Sequence, residues 1–182
     1  MNAARIAGIG VVALAVVVGS VDAWHAARNF SRMGPLPPGE PLAEFRVAML
    51  DGGAFTSAQL QGRVTVLTFW ATWCPACRSE LVDLDELDDE FAGNDDVQFL
   101  AVNWEGSGVP ARARPRIAAE YRDQAGVGLP IAWDDGSMAS ALRVGPIPHT
   151  VVVDRRGTLR HVHQGRVSAS TIADEIEALR DE

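Results

Sequence analysis

The stretch Val64-Thr65-Val66-Leu67-Thr68-Phe69-Trp70 carries no charge and opens directly onto Ala71-Thr72-Trp73-Cys74-Pro75-Ala76-Cys77. It reads as a buried strand. Behind it, Arg78-Ser79-Glu80-Leu81 begins a helical pattern in which Leu81, Leu84, Leu87 and Phe91 recur on one side. A strand that hands a Cys-x-x-Cys to a helix N-terminus is a redox geometry. The terminus carries partial positive charge and unpaired N–H groups, which favour the thiolate of Cys74. Cys77 falls one turn in, close enough to resolve a mixed disulfide made by Cys74. These are the only two cysteines of the chain. A structural zinc site needs four ligands, and there is no second pair to supply them. Inert core cysteines fit poorly with Pro75, which suits a first helical turn, and with the flanking Trp70 and Trp73.

The run Phe-Trp-Ala-Thr-Trp-Cys-Pro-Ala-Cys-Arg-x-Glu, from Phe69 to Glu80, resembles the thioredoxin superfamily. More narrowly, it is similar to the membrane-tethered thiol–disulfide oxidoreductases of the TlpA/ResA type. The resemblance covers about Leu42 to Leu179. It implies an α/β, thioredoxin-like fold: a central mixed sheet flanked by helices, with an N-terminal hairpin and an inserted helix. Phe45, Val47 and Met49 alternate ahead of an Asp51-Gly52-Gly53 turn and supply the hairpin. The segment from about Gly106 to Gln124 fills the place of the insertion. Val144-Gly145-Pro146-Ile147-Pro148-His149 matches the superfamily's cis-proline loop, with Pro148 at the proline position across from the cysteines. The implied substrate groove is lined by Trp73, Pro75, Ile147 and His149, the last standing where Thr is common. Thioredoxin keeps a buried Asp six residues before its first active cysteine, and here that residue is Thr68. ResA-like proteins place a Glu after the following strand. Glu105 is the matching carboxylate, placed to relay a proton near the thiol pair. The expected catalytic set is therefore Cys74, Cys77, Glu105 and Pro148.

A chain of 182 residues suggests one domain plus a tail. The net charge of -8 argues against a nucleic-acid partner, which would need a basic stripe. Ile6 to Val21 is almost wholly apolar, with Arg5 before it and Asp22 after. It is slightly short of a spanning helix of about 20 residues and slightly long for a signal core of about 7–15. A signal anchor over residues 1–23 is favoured over a cleaved signal peptide ending at Val21-Asp22-Ala23, and either one exports the domain. Residues 24–41 form a linker whose Pro35, Pro37, Pro38 and Pro41 favour extended structure. The thioredoxin-like domain is assigned to residues 42–182. The expected place is the bacterial cell membrane, with a single N-terminal span and the domain on the periplasmic or extracellular side.

Further strands are expected at Val97–Val102, Leu129–Trp133 and Leu159–His163. Helices are expected after Pro115, over Ser137–Leu142, and after a cap at Ser168 or Ser170. The acidic run Asp83 to Glu90 reads as a solvated face, with a docking surface for a basic partner as its alternative. The cluster Arg112, Arg114, Arg116 and Arg122 reads as plain surface, with contact to an acidic partner as its alternative. His161 and His163 share one face of a strand without forming an expected metal site. The leading function is a reductase of protein disulfides, of the kind acting on apocytochrome c or copper-site assembly proteins. It would be recharged by a membrane electron donor and would need no cofactor. The alternatives are a copper-binding module built from Cys74, Cys77 and His149, and a disulfide-forming oxidase. A peroxiredoxin is disfavoured, because Ala71 stands where its cysteine needs Thr or Ser three residues earlier.

Overall fold

A computed structural model describes residues 34–182 and is built around the strand that delivers the cysteines. In chain order the elements are β1 (Arg46–Met49), β2 (Ala54–Thr56), a 3-10 turn (Ser57–Leu60), β3 (Val64–Trp70), α1 (Pro75–Glu90) and β4 (Val97–Asn103). After a 3-10 turn (Ala111–Ala113) come α2 (Arg114–Ala125), β5 (Ile131–Trp133), α3 (Ser137–Ala141), β6 (His149–Val153), β7 (Leu159–Gln164) and α4 (Ala169–Arg180). They make one seven-stranded sheet in the order β2-β1-β5-β4-β3-β6-β7. The pairs β3–β4 and β4–β5 are parallel, and the hairpins β1–β2 and β6–β7 are antiparallel. The sheet is therefore mixed, with the hairpin at one edge, as the thioredoxin-like reading requires.

β3 is buried at every position because both of its faces are covered. On one face Val64, Val66 and Trp70 pack with Leu81, Leu84 and Leu87 of α1 and Ile172, Ile176 and Leu179 of α4. Ala118 of α2 joins the same cluster. On the other face Leu67 and Phe69 pack with Met138 and Ala139 of α3, with Leu142 just beyond it, and with Val47 and Phe55 of the hairpin. Each of these large apolar side chains contributes about 1.5–3 kcal/mol by leaving water. This double cover makes β3 a rigid rail under the cysteines.

Three expectations need correction. The proline-rich stretch is part of the fold before Leu42. Gly39 N–H donates to Leu159 O (2.7 Å) and Leu42 N–H to Gly157 O (3.0 Å), while Glu40 O accepts from Leu159 N–H (2.9 Å). The chain turns at Pro38 and Gly39, with Gly39 at a φ of 92°, rather than running extended, and Gly39 and Leu42 keep the donors that prolines lack. The acidic face of α1 is not simply solvated. Asp85 accepts from the N–H groups of Gly128 (2.8 Å) and Leu129 (2.7 Å) and so fastens α1 to the approach of β5. Arg114 is buried rather than on the surface. Its guanidinium donates to the carbonyls of Gly106 (2.9 Å), Val109 (3.0 Å) and Asp134 (3.2 Å), tying down the loop after β4. The cap of α4 is Ser168, whose Oγ accepts from Thr171 N–H at 3.2 Å.

Among the described residues no helix is long and apolar enough to cross a membrane. The apolar run at residues 6–21 lies outside the described residues.

Candidate active site

Cys74 is the N-cap of α1, in extended conformation, and Pro75 follows in the first turn, where a missing N–H costs no helical bond. The capping role usually taken by a side-chain oxygen falls to sulfur: Cys74 Sγ accepts from Cys77 N–H at 3.2 Å. The two sulfurs are joined as a disulfide. Cys77 is 1% exposed and Cys74 6%, so an incoming sulfur meets Cys74 first. In the dithiol the same N–H and the positive end of α1 are aimed at a Cys74 thiolate. Between the cysteines, Pro75-Ala76 adds no side-chain donor or charge.

Across from Cys74, the Ile147–Pro148 peptide is cis. The Ile147 carbonyl oxygen lies 3.9 Å from Cys74 Sγ. Trp73 is 60% exposed, an unusual place for an indole. Its Nε1–H donates to Glu105 O at 3.3 Å, which fixes the ring beside the disulfide. Trp73 and Pro75 are exposed and Ile147 is half-buried, while Pro148 is buried beneath them. His149 does not join this surface. It is 1% exposed, and its ring stands edge-on to Phe69 at 6.2 Å. Strand alternation groups it with Val151 and Val153 on the sheet face away from α1. Burial holds its pKa down to about 4, and its Nδ1 has no partner. The set Cys74, Cys77 and His149 is therefore not assembled as a metal site. Among the described residues no group of three or more His, Cys, Asp or Glu is disposed to hold a metal ion.

Glu105 is buried and lies in the loop after β4. Oε1 accepts from Thr72 N–H (2.9 Å) and Asn103 Nδ2 (2.8 Å), and Oε2 from Thr72 Oγ1 (3.2 Å). Through Thr72 and Trp73 it grips the segment immediately before Cys74.

A second carboxylate, not anticipated from sequence, lies under the site. Glu80 is 0% exposed. Oε1 accepts from the hydroxyls of Thr150 (2.5 Å) and Thr68 (3.3 Å), and Oε2 from Val167 N–H (2.9 Å). Burial raises its pKa, and these hydrogen bonds offset the rise only in part. It stands one turn beyond Cys77, and side chains three apart on a helix are neighbours. The signal was present: Glu80 occupies an inward position between Cys77 and Leu84 on the apolar stripe of α1. Thr68, where a carboxylate is missing from the strand, is the residue that meets this one from the helix.

Comparison with known proteins agrees with the geometry. The chain is 25% identical over 179 residues to the thiol-disulfide oxidoreductase ResA of Halalkalibacterium halodurans, covering 98% of this chain and 94% of that one. It is 28% identical over 168 residues to the thiol:disulfide interchange protein DsbE of Escherichia coli, covering 86% and 83%. The crystal structure of the exposed lipoprotein thioredoxin of Streptococcus pneumoniae superposes with a TM-score of 0.66 at 26% identity, over 75% of this chain and all of that one. The AhpC/TSA family model matches residues 38–162, more than half of the chain, so the protein belongs to the AhpC/TSA family and, with relatives of this kind and a Cys74–Cys77 pair, is a thiol–disulfide oxidoreductase.

Proposed function

We propose that the enzyme reduces protein disulfides outside the cytoplasm, tethered to the membrane by residues 6–21 and recharged there by a membrane electron donor. The observation that carries the reading is the asymmetry of the pair. Cys74 caps α1 beside the exposed Trp73 and the Ile147 carbonyl, and Cys77 is sealed one turn below, next to Glu80. The groove of Trp73, Pro75 and Ile147 suits an extended apolar segment of a protein substrate. Apocytochrome c and copper-site assembly proteins are the substrate types that the TlpA/ResA resemblance suggests.

In the reducing direction the Cys74 thiolate attacks one sulfur of the substrate disulfide. A Cys74–substrate bond forms, and the second substrate sulfur leaves as a thiolate. Cys77 then gives its proton to the Glu80 carboxylate and attacks Cys74 Sγ. The Cys74–Cys77 bond forms and the first substrate sulfur leaves. Two electrons have passed to the substrate, whose two thiolates take up two protons: the one Cys74 lost on forming its thiolate, and the Cys77 proton, which Glu80 gives up to return to the carboxylate. Glu105 acts on this sequence by positioning Thr72, Trp73 and Cys74, and Pro148 by shaping the wall opposite Cys74.

A Cys77→Ser variant tests the reading, because it stops the reaction at the mixed disulfide. Expressed in its native envelope, it should accumulate proteins joined through Cys74 and released by dithiothreitol. Recovery of the same proteins with Cys74→Ser in place of Cys77→Ser, or of none with either, would overturn it.

A further inference from the structure

Three neighbouring strands each place a polar side chain at the same level of the sheet. Thr68 of β3 is in register with Thr150 of β6, and Thr150 with His163 of β7. Directly opposed residues point to one face, and here it is the face that carries α1 and α4, lined otherwise by Val66, Trp70 and Val152. Two carboxylates roof this row. Glu80 of α1 meets Thr68 and Thr150, whose hydroxyls also lie 2.8 Å apart. Glu175 of α4 meets His163, both carboxylate oxygens lying 3.0 Å from Nε2, and reaches His161 Nδ1 at 3.3 Å. The inner end of the row is closed to solvent. Its outer end is at β7, the edge strand of the sheet, where the His163 side chain is 23% exposed. A polar row through an apolar layer is costly unless each member is satisfied. This one sets the carboxylate below the dithiol and a histidine that water can reach on neighbouring register positions of one sheet face.

We infer that His163, held by Glu175, is a positioning residue for the reaction: its charge sets the readiness of Glu80 to take the Cys77 proton. The inference rests on the reading of Glu80 as the base for Cys77. Burial disfavours the Glu80 carboxylate, and among the causes acting on it the one distant charge is that of His163, which favours the carboxylate form. The charged groups around His163 are Glu80 from α1, Glu175 from α4, and His161 on β7, which shares Glu175. The Asp83–Arg166 pair lies next to Val167, whose N–H holds Glu80. The proton step is simple in balance: the Cys77 S–H bond breaks, a Glu80 O–H bond forms, and no electrons move beyond those of the disulfide exchange.

The test is the pH profile of the resolving step. The reduced full chain is mixed in a stopped-flow instrument with an aromatic disulfide whose thiolate is coloured. The first thiolate reports attack by Cys74, the second reports resolution by Cys77, and the first serves as the internal reference. His163→Gln should move the acid limb of the second step to higher pH, slowing it there by roughly three- to tenfold, as expected for loss of one partly screened charge. His163→Arg, which keeps the charge, should hold the limb in place. A limb that stays put in His163→Gln, or moves equally in His163→Arg, overturns the inference. Glu80→Gln, run alongside, separates the two readings. If it leaves the resolving step untouched, the assignment of Glu80 as base fails. If it slows that step while His163→Gln leaves the limb unmoved, only the role of His163 fails.

Discussion

Glu80 and Glu105 are both buried carboxylates beside the same cysteine pair, yet their surroundings differ in kind. Glu105 is met by a backbone N–H, an amide N–H and one hydroxyl, all from Thr72 just after β3 and Asn103 at the end of β4. N–H groups can only donate, so they fix both the place of the carboxylate and the chain that bears them. Glu80 also takes one N–H, from Val167 at Oε2, but its Oε1 is met by two hydroxyls, which can donate or accept. That environment accommodates a carboxylic acid as well as a carboxylate. On the proposed function, burial builds a clamp at one position and a proton-handling group at the other, and the difference lies in the donors rather than in the acid.

The largest effect is expected at Glu80. Glu80→Gln keeps size and one acceptor but cannot take the Cys77 proton. The resolving step should slow by about 10²–10⁴-fold, the usual contribution of a positioned base. Thermal unfolding and far-UV circular dichroism would confirm that the fold persists. A slowing below about tenfold would leave Glu80 as a packing residue.

Glu105 should answer mainly in stability. Glu105→Ala strands the Thr72 N–H and the Asn103 amide in a buried place, at about 1–3 kcal/mol for an unsatisfied group. Denaturant midpoints should fall accordingly, and Trp73 fluorescence should show a loosened indole. Glu105→Gln keeps an acceptor for Thr72 and should cost less. If instead Glu105→Gln left stability intact but shifted the titration of the thiols, Glu105 would be the relay and the contrast would reverse.

A pH series sharpens the contrast further. The folded-state pKa of Glu80 is raised above its ordinary value of 4.5 by burial. The native state thus binds this proton more tightly than the unfolded chain does. The resulting stability is fully present below pH 4.5 and is lost as pH rises through the folded value. Wild type should therefore lose ground to Glu80→Gln in urea midpoints as pH rises from 4.5, then level off. A difference that stays flat across this range would mean that Glu80 is not held protonated by the fold.

Much of this arrangement is legible in the sequence, for reasons that are local. β3, the cap at Cys74 and the stripe of α1 follow from charge-free strand composition, a proline in the first turn and helical spacing. The Pro148 loop is legible only through the family resemblance, since a proline ahead of a strand is otherwise ordinary. What stayed hidden depends on distant pairing. Glu80 stood within the quoted motif, but its partners Thr150 and Val167 are 70 and 87 residues away. In the sequence Asp85 and Arg114 are single members of a charged face and a basic cluster. Each acts singly, on backbone groups of another segment. His149 was expected in the groove because it follows Pro148. Its pairing with Phe69 at the start of β6 turns it to the opposite face, which alternation with Val151 and Val153 could have shown.

The smallest effect expected is on the reduction potential, and it also decides the direction of electron flow. Stabilising the Cys74 thiolate stabilises the reduced form and raises the potential. The thiolate has the Cys77 N–H and the positive end of α1 to lean on. Pro75 and Ala76 add no donor, and Arg78 points into solvent from the far side of Cys77. A strongly oxidising relative needs a thiol pKa near 3.5, against about 7 for thioredoxin, and nothing around Cys74 supplies that difference. The potential should lie below about -200 mV, on the reducing side for an oxidising envelope. Neither Glu80 nor Glu105 hydrogen-bonds to a cysteine sulfur. Replacing either by Gln should therefore raise the potential by less than about 30 mV, the equivalent of one unit of thiol pKa. Equilibration against glutathione measures all three proteins. A wild-type value near -120 mV would make the enzyme an oxidase. A shift well above 30 mV in Glu105→Gln alone would place that carboxylate in electrical contact with the dithiol and end its description as a clamp.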